Sequence, residues 1–172
     1  MKHELPPDTA EEIAAIREKI EKYKGGIRVF FLGPGYPKEE LELRKKMASE
    51  LNREGYSVIV MEAIPEWRDV TVGEKFKAIL EEHRPDLFIC VFSKRGYPHG
   101  VIFEIGFLCG HYGRDKIIDK LRFCVEAGVN KRELLSIYVL EVMSGARTFD
   151  YDKDELRDVI EGIIQREILE KF

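Results

Sequence analysis

The strongest constraint on this chain is a repeated change of hydrophobic period. Ile27-Arg28-Val29-Phe30-Phe31-Leu32 is a short, β-rich apolar run that stops at Gly33-Pro34-Gly35. A helical pattern follows from about Lys38 to Glu54, with Leu43, Met47 and Leu51 on one side and Gly55 as terminator. The alternation then repeats. A β-run from Tyr56 to Met61 precedes a loop with Pro65 and Trp67, then a helix over 73–83 ended by Arg84-Pro85. Leu87 to Phe92 is almost continuously apolar, as a central parallel strand covered on both faces must be. Strands alternating with helices imply βαβ units, right-handed crossovers and an open parallel sheet.

The remaining segments fit the same scheme. An apolar helix is expected over 100–112, buried nearly all round, and a fourth strand over 121–125. Residues 130–143 are ambiguous: Asn130 and Glu133 suggest a capping box, whereas Ile137-Tyr138-Val139 suggests strand. A last strand is expected over 146–151. Leu156, Val159, Ile160, Ile163, Ile164 and Ile168 then mark a closing helix. Ahead of the first strand, residues 8–24 read as a helix capped by Asp8 or Thr9 and stopped by Gly25-Gly26. Its narrow stripe, Ile13, Ile16, Ile20 and Tyr23, fits the domain's flank or a partner subunit. The expected architecture is one three-layer α/β/α domain over 27–172 with an open, mainly parallel sheet, and a helical extension over 1–26.

Composition narrows the function classes. A chain of 172 residues suits one domain able to bury about 70% of its unfolded surface without disulfides or structural metals. With 28 basic and 32 acidic side chains its formal charge is −4, which argues against nucleic-acid binding, a function that usually shows as a basic field. No apolar window is long enough to span a membrane, and Met1-Lys2-His3-Glu4 does not open a signal peptide. Cys90, Cys109 and Cys124 are odd in number and embedded in apolar runs, so they read as buried, reduced side chains of a cytoplasmic protein. One glutamine, Gln165, and two asparagines, Asn52 and Asn130, amid abundant Glu and Lys suit a heat-adapted source.

In open parallel sheets the ligand lies beyond the carboxyl ends of the strands. That rule selects the loops 33–38, 62–72 and 93–100. Glu104 is the outlier there, a lone carboxylate one turn inside an otherwise apolar helix, sharing a face with Val101 and Leu108. Such a group is costly to bury unpaired. It is either internal glue bonded to a neighbouring loop or a carboxylate opening into the cleft. Gly33, Pro34, Gly35 and Tyr36 form a turn whose backbone could approach a ligand, or merely a tight turn. Ser93, with Lys94 and Arg95, offers a hydroxyl and two cations. Trp67 and Tyr97 could stack on a base, and His99, beside Gly100, could serve as an acid or phosphate ligand. His3, His83, His99 and His111 are scattered, with no zinc-like spacing, so neither a metal nor a cofactor is expected.

Asp86-Leu-Phe-Ile-Cys-Val-Phe-Ser, a short loop, and then Gly100-Val-Ile-Phe-Glu104-Ile-Gly106 resemble the nucleoside 2-deoxyribosyltransferase superfamily. Phe31-Leu32-Gly33-Pro34-Gly35 is similar to that family's first-strand loop. Val101 to Gly110, continuing to Gly113-Arg114, is equally similar to TIR-like predicted nucleotide-binding domains. The resemblance covers about residues 27–127. It implies a flavodoxin-like fold and cleavage or transfer at the N-glycosidic bond of a nucleoside or nucleotide. In that reading Glu104 is the nucleophile, kept ionised near neutral pH by its helix N-terminus. The alternative it implies is a non-catalytic nucleotide-sensing module that self-associates. Homo-oligomers are expected on either reading. There is a departure: many deoxyribosyltransferases carry an aspartate six residues before the glutamate, where this chain has Pro98. Asp86 begins its strand at the opposite end and reads as a structural hydrogen-bonder.

Overall fold

The computed structural model describes residues 7–65 and 69–172; Trp67, His3 and the rest of the first six residues lie outside them. Five strands form one sheet: β1 (Arg28–Leu32), β2 (Ser57–Ile59), β3 (Leu87–Phe92), β4 (Leu121–Glu126) and β5 (Arg147–Tyr151). Their order is β2-β1-β3-β4-β5 and every pairing is parallel. This is the flavodoxin-like order, with its topological switch point between β1 and β3. All six residues of β3 are buried, matching its unbroken apolar sequence.

The eight helices of the described residues are α1 (Pro7–Tyr23), α2 (Lys38–Arg53), α3 (Val72–His83), α4 (His99–Tyr112), α5 (Arg114–Ile118), α6 (Lys131–Leu134), α7 (Ile137–Gly145) and α8 (Leu156–Lys171). Alternation along the strands sends Phe30, Leu32, Phe88, Cys90, Phe92 and Phe123 to a core shared with α3, α4, α5 and α7. It sends Val29, Phe31, Leu87, Ile89 and Val91 to a second core under α2 and α8. The expected three-layer α/β/α architecture is what the chain adopts. The three cysteines are free and buried. Among the described residues no helix is long and apolar enough to cross a membrane.

Local departures have physical causes. Helix α1 as described takes in Asp8 and Thr9 as helical positions. It lies along the flank, with the Tyr23 ring stacked on Phe172 at 4.4 Å and Lys19 Nζ donating to the Leu169 carbonyl at 3.5 Å. Residues 130–143 hold no strand: 131–134 and 137–143 are helical, separated by Leu135 and Ser136. The cap of α7 is Ser136, whose hydroxyl accepts from the Val139 amide, while Asn130 makes no side-chain cap. Sequence reading gave no sign of α5. In α2 the buried stripe is Arg44, Met47, Ala48 and Leu51, and Leu43 is exposed. Helix α4 is buried on one side only: Phe103 is 53% exposed, and Gly100, Gly110 and His111 also face outward.

Candidate functional site

Two loops meet at the switch point, residues 33–37 after β1 and residues 93–98 after β3. They are zipped together by hydrogen bonds. The Tyr97 amide donates to the Tyr36 carbonyl at 2.9 Å. Ser93 Oγ donates to Glu40 of α2 at 2.8 Å and accepts from the Gly96 amide at 3.0 Å. Gly96 permits this approach, because a Cβ there would stand 2.2 Å from Pro34 Cγ. Ser93 is buried and its hydroxyl is committed to holding the loop.

The exposed surface of these loops is aromatic. Tyr36 and Tyr97 are both more than half exposed, with ring centroids 5.4 Å apart. His99 lies in the first turn of α4, exposed, its ring nearly parallel to Tyr97 at 6.5 Å. The Tyr36 and Tyr97 rings are tilted by 52°, whereas Tyr97 and His99 differ by 18°. Gly100 sits beside it with open space around its Cα.

Beneath the rim is a charged cluster of which sequence reading found one member. Arg44 reaches in from α2, 2% exposed. Its terminal nitrogens donate to the carbonyls of Phe31 and Pro34, each at 3.2 Å, and to both oxygens of Glu62, at 3.1 and 2.7 Å. Gly33 lies flat against this side chain: a Cβ there would come within 2.8 Å of Arg44 Cδ and Nε. Gly35 faces the Glu62 carboxylate. Glu62 belongs to the 3-10 turn that follows β2.

Glu104 completes the cluster from α4. It is buried, and its Oε2 is closed off from solvent without a hydrogen-bond partner; Arg44 Nε is the other such atom among the described residues. Burial first, and the Glu62 charge second, push its carboxyl up to about 8 from an ordinary 4.5, against the pull of Arg44. The expectation that the helix N-terminus keeps Glu104 ionised near neutrality is therefore corrected. Desolvation is the largest contribution, and the neutral acid predominates at pH 7. The Cys90 thiol, fully buried in β3, is pushed up by burial and then by Glu104.

Across the 93–98 loop, on the α8 side, a cavity of about 210 Å³ is lined in part by Glu40, Ser93, Lys94, Arg95, Glu126 and Lys153. Glu126 holds the loop there by accepting from the Lys94 amide at 2.7 Å. Among the described residues no group of three or more His, Cys, Asp or Glu side chains stands close enough to hold a metal ion.

Gly33, Pro34, Gly35, Tyr36, Ser93, Tyr97, His99, Gly100 and Glu104 thus gather at one place, whereas Trp67 lies outside the described residues. Asp86 sits at the far end of β3, accepting from the Arg28 amide and Nε and from Lys171 Nζ. Arg44 and Glu62 are the members that sequence reading missed. The available signal for Arg44 was phase, since it stands three, four and seven residues before Met47, Ala48 and Leu51.

Fold and site together define a class: a flavodoxin-like, doubly wound α/β protein with a buried, under-partnered carboxyl at its switch point. No protein-family model and no curated protein matches the chain.

Proposed function

We propose that the chain binds a nucleoside or nucleotide at the β1/β3 switch point and cleaves or transfers its N-glycosidic bond, with Glu104 as the reacting carboxylate. The observation that carries this reading is the unpartnered Glu104 Oε2, buried beside the Arg44–Glu62 pair under an aromatic rim. A fold does not keep a buried carboxyl without a partner for stability.

The base would lie on Tyr36, Tyr97 and His99, placing the sugar toward Glu104. The ionised carboxylate would form a bond from one oxygen to the anomeric carbon as the carbon–nitrogen bond breaks, its electron pair leaving on the base. The base takes a proton from solvent or from a rim group. Water, or a second base, then attacks the same carbon and releases Glu104, so the carboxylate splits one difficult displacement into two. Lys94, Arg95 and Lys153 beside the neighbouring cavity suit a ligand that carries phosphate.

Base release from a panel of nucleosides, nucleoside monophosphates and pyridine dinucleotides tests the reading. Glu104→Gln should cut release by on the order of a thousandfold or more while leaving binding intact. Because only the ionised form attacks, kcat/KM should rise about tenfold per pH unit and level off above about 8. A profile that falls across that range would make Glu104 an acid instead. No release from any member of the panel would sink the enzymatic reading.

A second reading, a non-catalytic nucleotide-sensing module that self-associates, draws on the outer face of the same helix layer. The exposed side of α4 carries no charged residue, and Phe103, Ile137 and Tyr138 are 53%, 78% and 44% exposed. Exposed apolar side chains of this kind suit an interface, and the Arg114–Glu141 pair stands beside Tyr138 at its margin. On that reading Glu104→Gln changes nothing measurable in catalysis, and light scattering reports concentration-dependent assembly.

A further inference from the structure

Arg44 takes no part in the chemistry above, yet it is buried and makes four hydrogen bonds to three separate segments. One guanidinium joins the end of β1 through the Phe31 carbonyl, the following loop through the Pro34 carbonyl, and the turn after β2 through both oxygens of Glu62. It does so from a stripe whose other members, Met47, Ala48 and Leu51, are apolar. Stability alone is a poor reason for this choice, because a buried ion pair is often no better than apolar side chains of the same volume. Arg44 also keeps a buried Nε without a partner, in the same cluster where Glu104 keeps a buried oxygen without one.

The charged and titratable groups facing Glu104 come from three elements. Glu62 faces it from the turn after β2, Arg44 from α2, and the Cys90 thiol from β3. Glu62 opposes ionisation of Glu104 and Arg44 favours it, and the two are locked to each other in a bidentate pair. Moving either one therefore moves the field at Glu104.

We propose that Arg44 is a positioning residue for Glu104: it ties the loops after β1 and β2 into one rim around that carboxyl, and among the described residues it supplies the positive charge that acts on it. This rests on the proposed function only for the importance of Glu104. Its test reads the carboxyl directly, in protein without ligand.

The test follows the Glu104 side-chain carboxyl by carbon-13 NMR from pH 5 to 10, in the unaltered protein and in Glu62→Gln, Arg44→Lys and Arg44→Met. The unaltered protein should titrate near 8. Glu62→Gln removes the repelling charge and should lower the midpoint by about one pH unit. Arg44→Met should raise it by about one pH unit or more. If that variant does not fold, the other two still decide the matter. Arg44→Lys keeps the charge but cannot span a carboxylate and two carbonyls. It should leave the midpoint near that of the unaltered protein while weakening the binding of a nucleoside from the panel several-fold. A Glu104 midpoint unmoved in Glu62→Gln, or nucleoside binding unaffected in Arg44→Lys, would overturn the proposal. Midpoints that move as described in a protein that releases no base would leave the Arg44 assignment standing and remove the enzymatic reading. Base release with unmoved midpoints would do the reverse.

Discussion

The two ends of the sheet each bury an arginine, and they use it in opposite ways. At the amino end Arg122, at the start of β4, donates from Nε to Glu167 at 2.7 Å and from a terminal nitrogen to the carbonyls of Asp119 and Leu121, each at 2.8 Å. Nearby, Asp86 accepts three hydrogen bonds, two from Arg28 and one from Lys171. These bonds outweigh its burial and hold its carboxyl below the usual range. Among the described residues that end leaves no buried side-chain polar atom without a partner. At the carboxyl end Arg44 is just as buried, but its Nε is unpartnered, and the nearby Glu104 has an oxygen in the same condition. One end is saturated and the other is not. Unsatisfied buried groups are rare in folded proteins and each calls for an explanation, so the contrast singles out the carboxyl end as the candidate site.

The comparison can be broken from either side. Arg122→Met should cost about 3 kcal/mol by chemical denaturation, at the low end for removing one partner of a buried pair because Arg147 still stands 3.7 Å from Glu167. It should leave base release and the Glu104 titration unchanged. An effect on either would mean that the two ends are coupled and the division is false. Gly96→Ala tests the carboxyl end by geometry instead of charge. Its Cβ would meet the rigid Pro34 ring at 2.2 Å and Ser93 Oγ at 2.6 Å, so the two loops must part. A loss of about 2 kcal/mol is expected, together with weaker ligand binding. Full stability in this variant would show that the loops are not zipped as described.

How far the sequence reveals this division depends on what each residue must do to be seen. Glu104 is visible because a single charge in Gly100-Val-Ile-Phe-Glu104-Ile-Gly106-Phe-Leu breaks an apolar helix. The loops beyond the carboxyl ends of the strands are visible because alternating β-runs and helices imply a parallel sheet, whereas the β1/β3 switch point follows from the strand order in the structure. Arg44 hides among Lys38, Lys45, Lys46 and four glutamates of α2, where charge is the background and only helical phase marks the buried position. Glu62 hides because no local pattern distinguishes a turn carboxylate that meets an arginine eighteen positions earlier. The protonation state of Glu104 is hidden for the same reason. The sequence shows the helix N-terminus that favours its charge, but not the depth of burial or the facing Glu62 that oppose it. Helix α7 was ambiguous because Ile137, Tyr138 and Val139 favour strand locally, and the Ser136 cap decides otherwise.

The central claim is that Glu104 is an under-partnered carboxyl kept for function and not internal glue. Unfolding free energies of the unaltered protein and Glu104→Gln, measured across pH 5 to 8.5, test it most directly. The folded state holds a proton that the unfolded state releases above about 4.5, so the unaltered protein loses stability as pH rises toward 8. Glutamine, which resembles the neutral acid, has no such loss. The variant should match the unaltered protein near pH 4.5 and exceed it by a margin that grows with each pH unit up to about 8, reaching several kcal/mol. A variant that is less stable at every pH, or a difference that does not change with pH, would contradict the account and return Glu104 to a structural role.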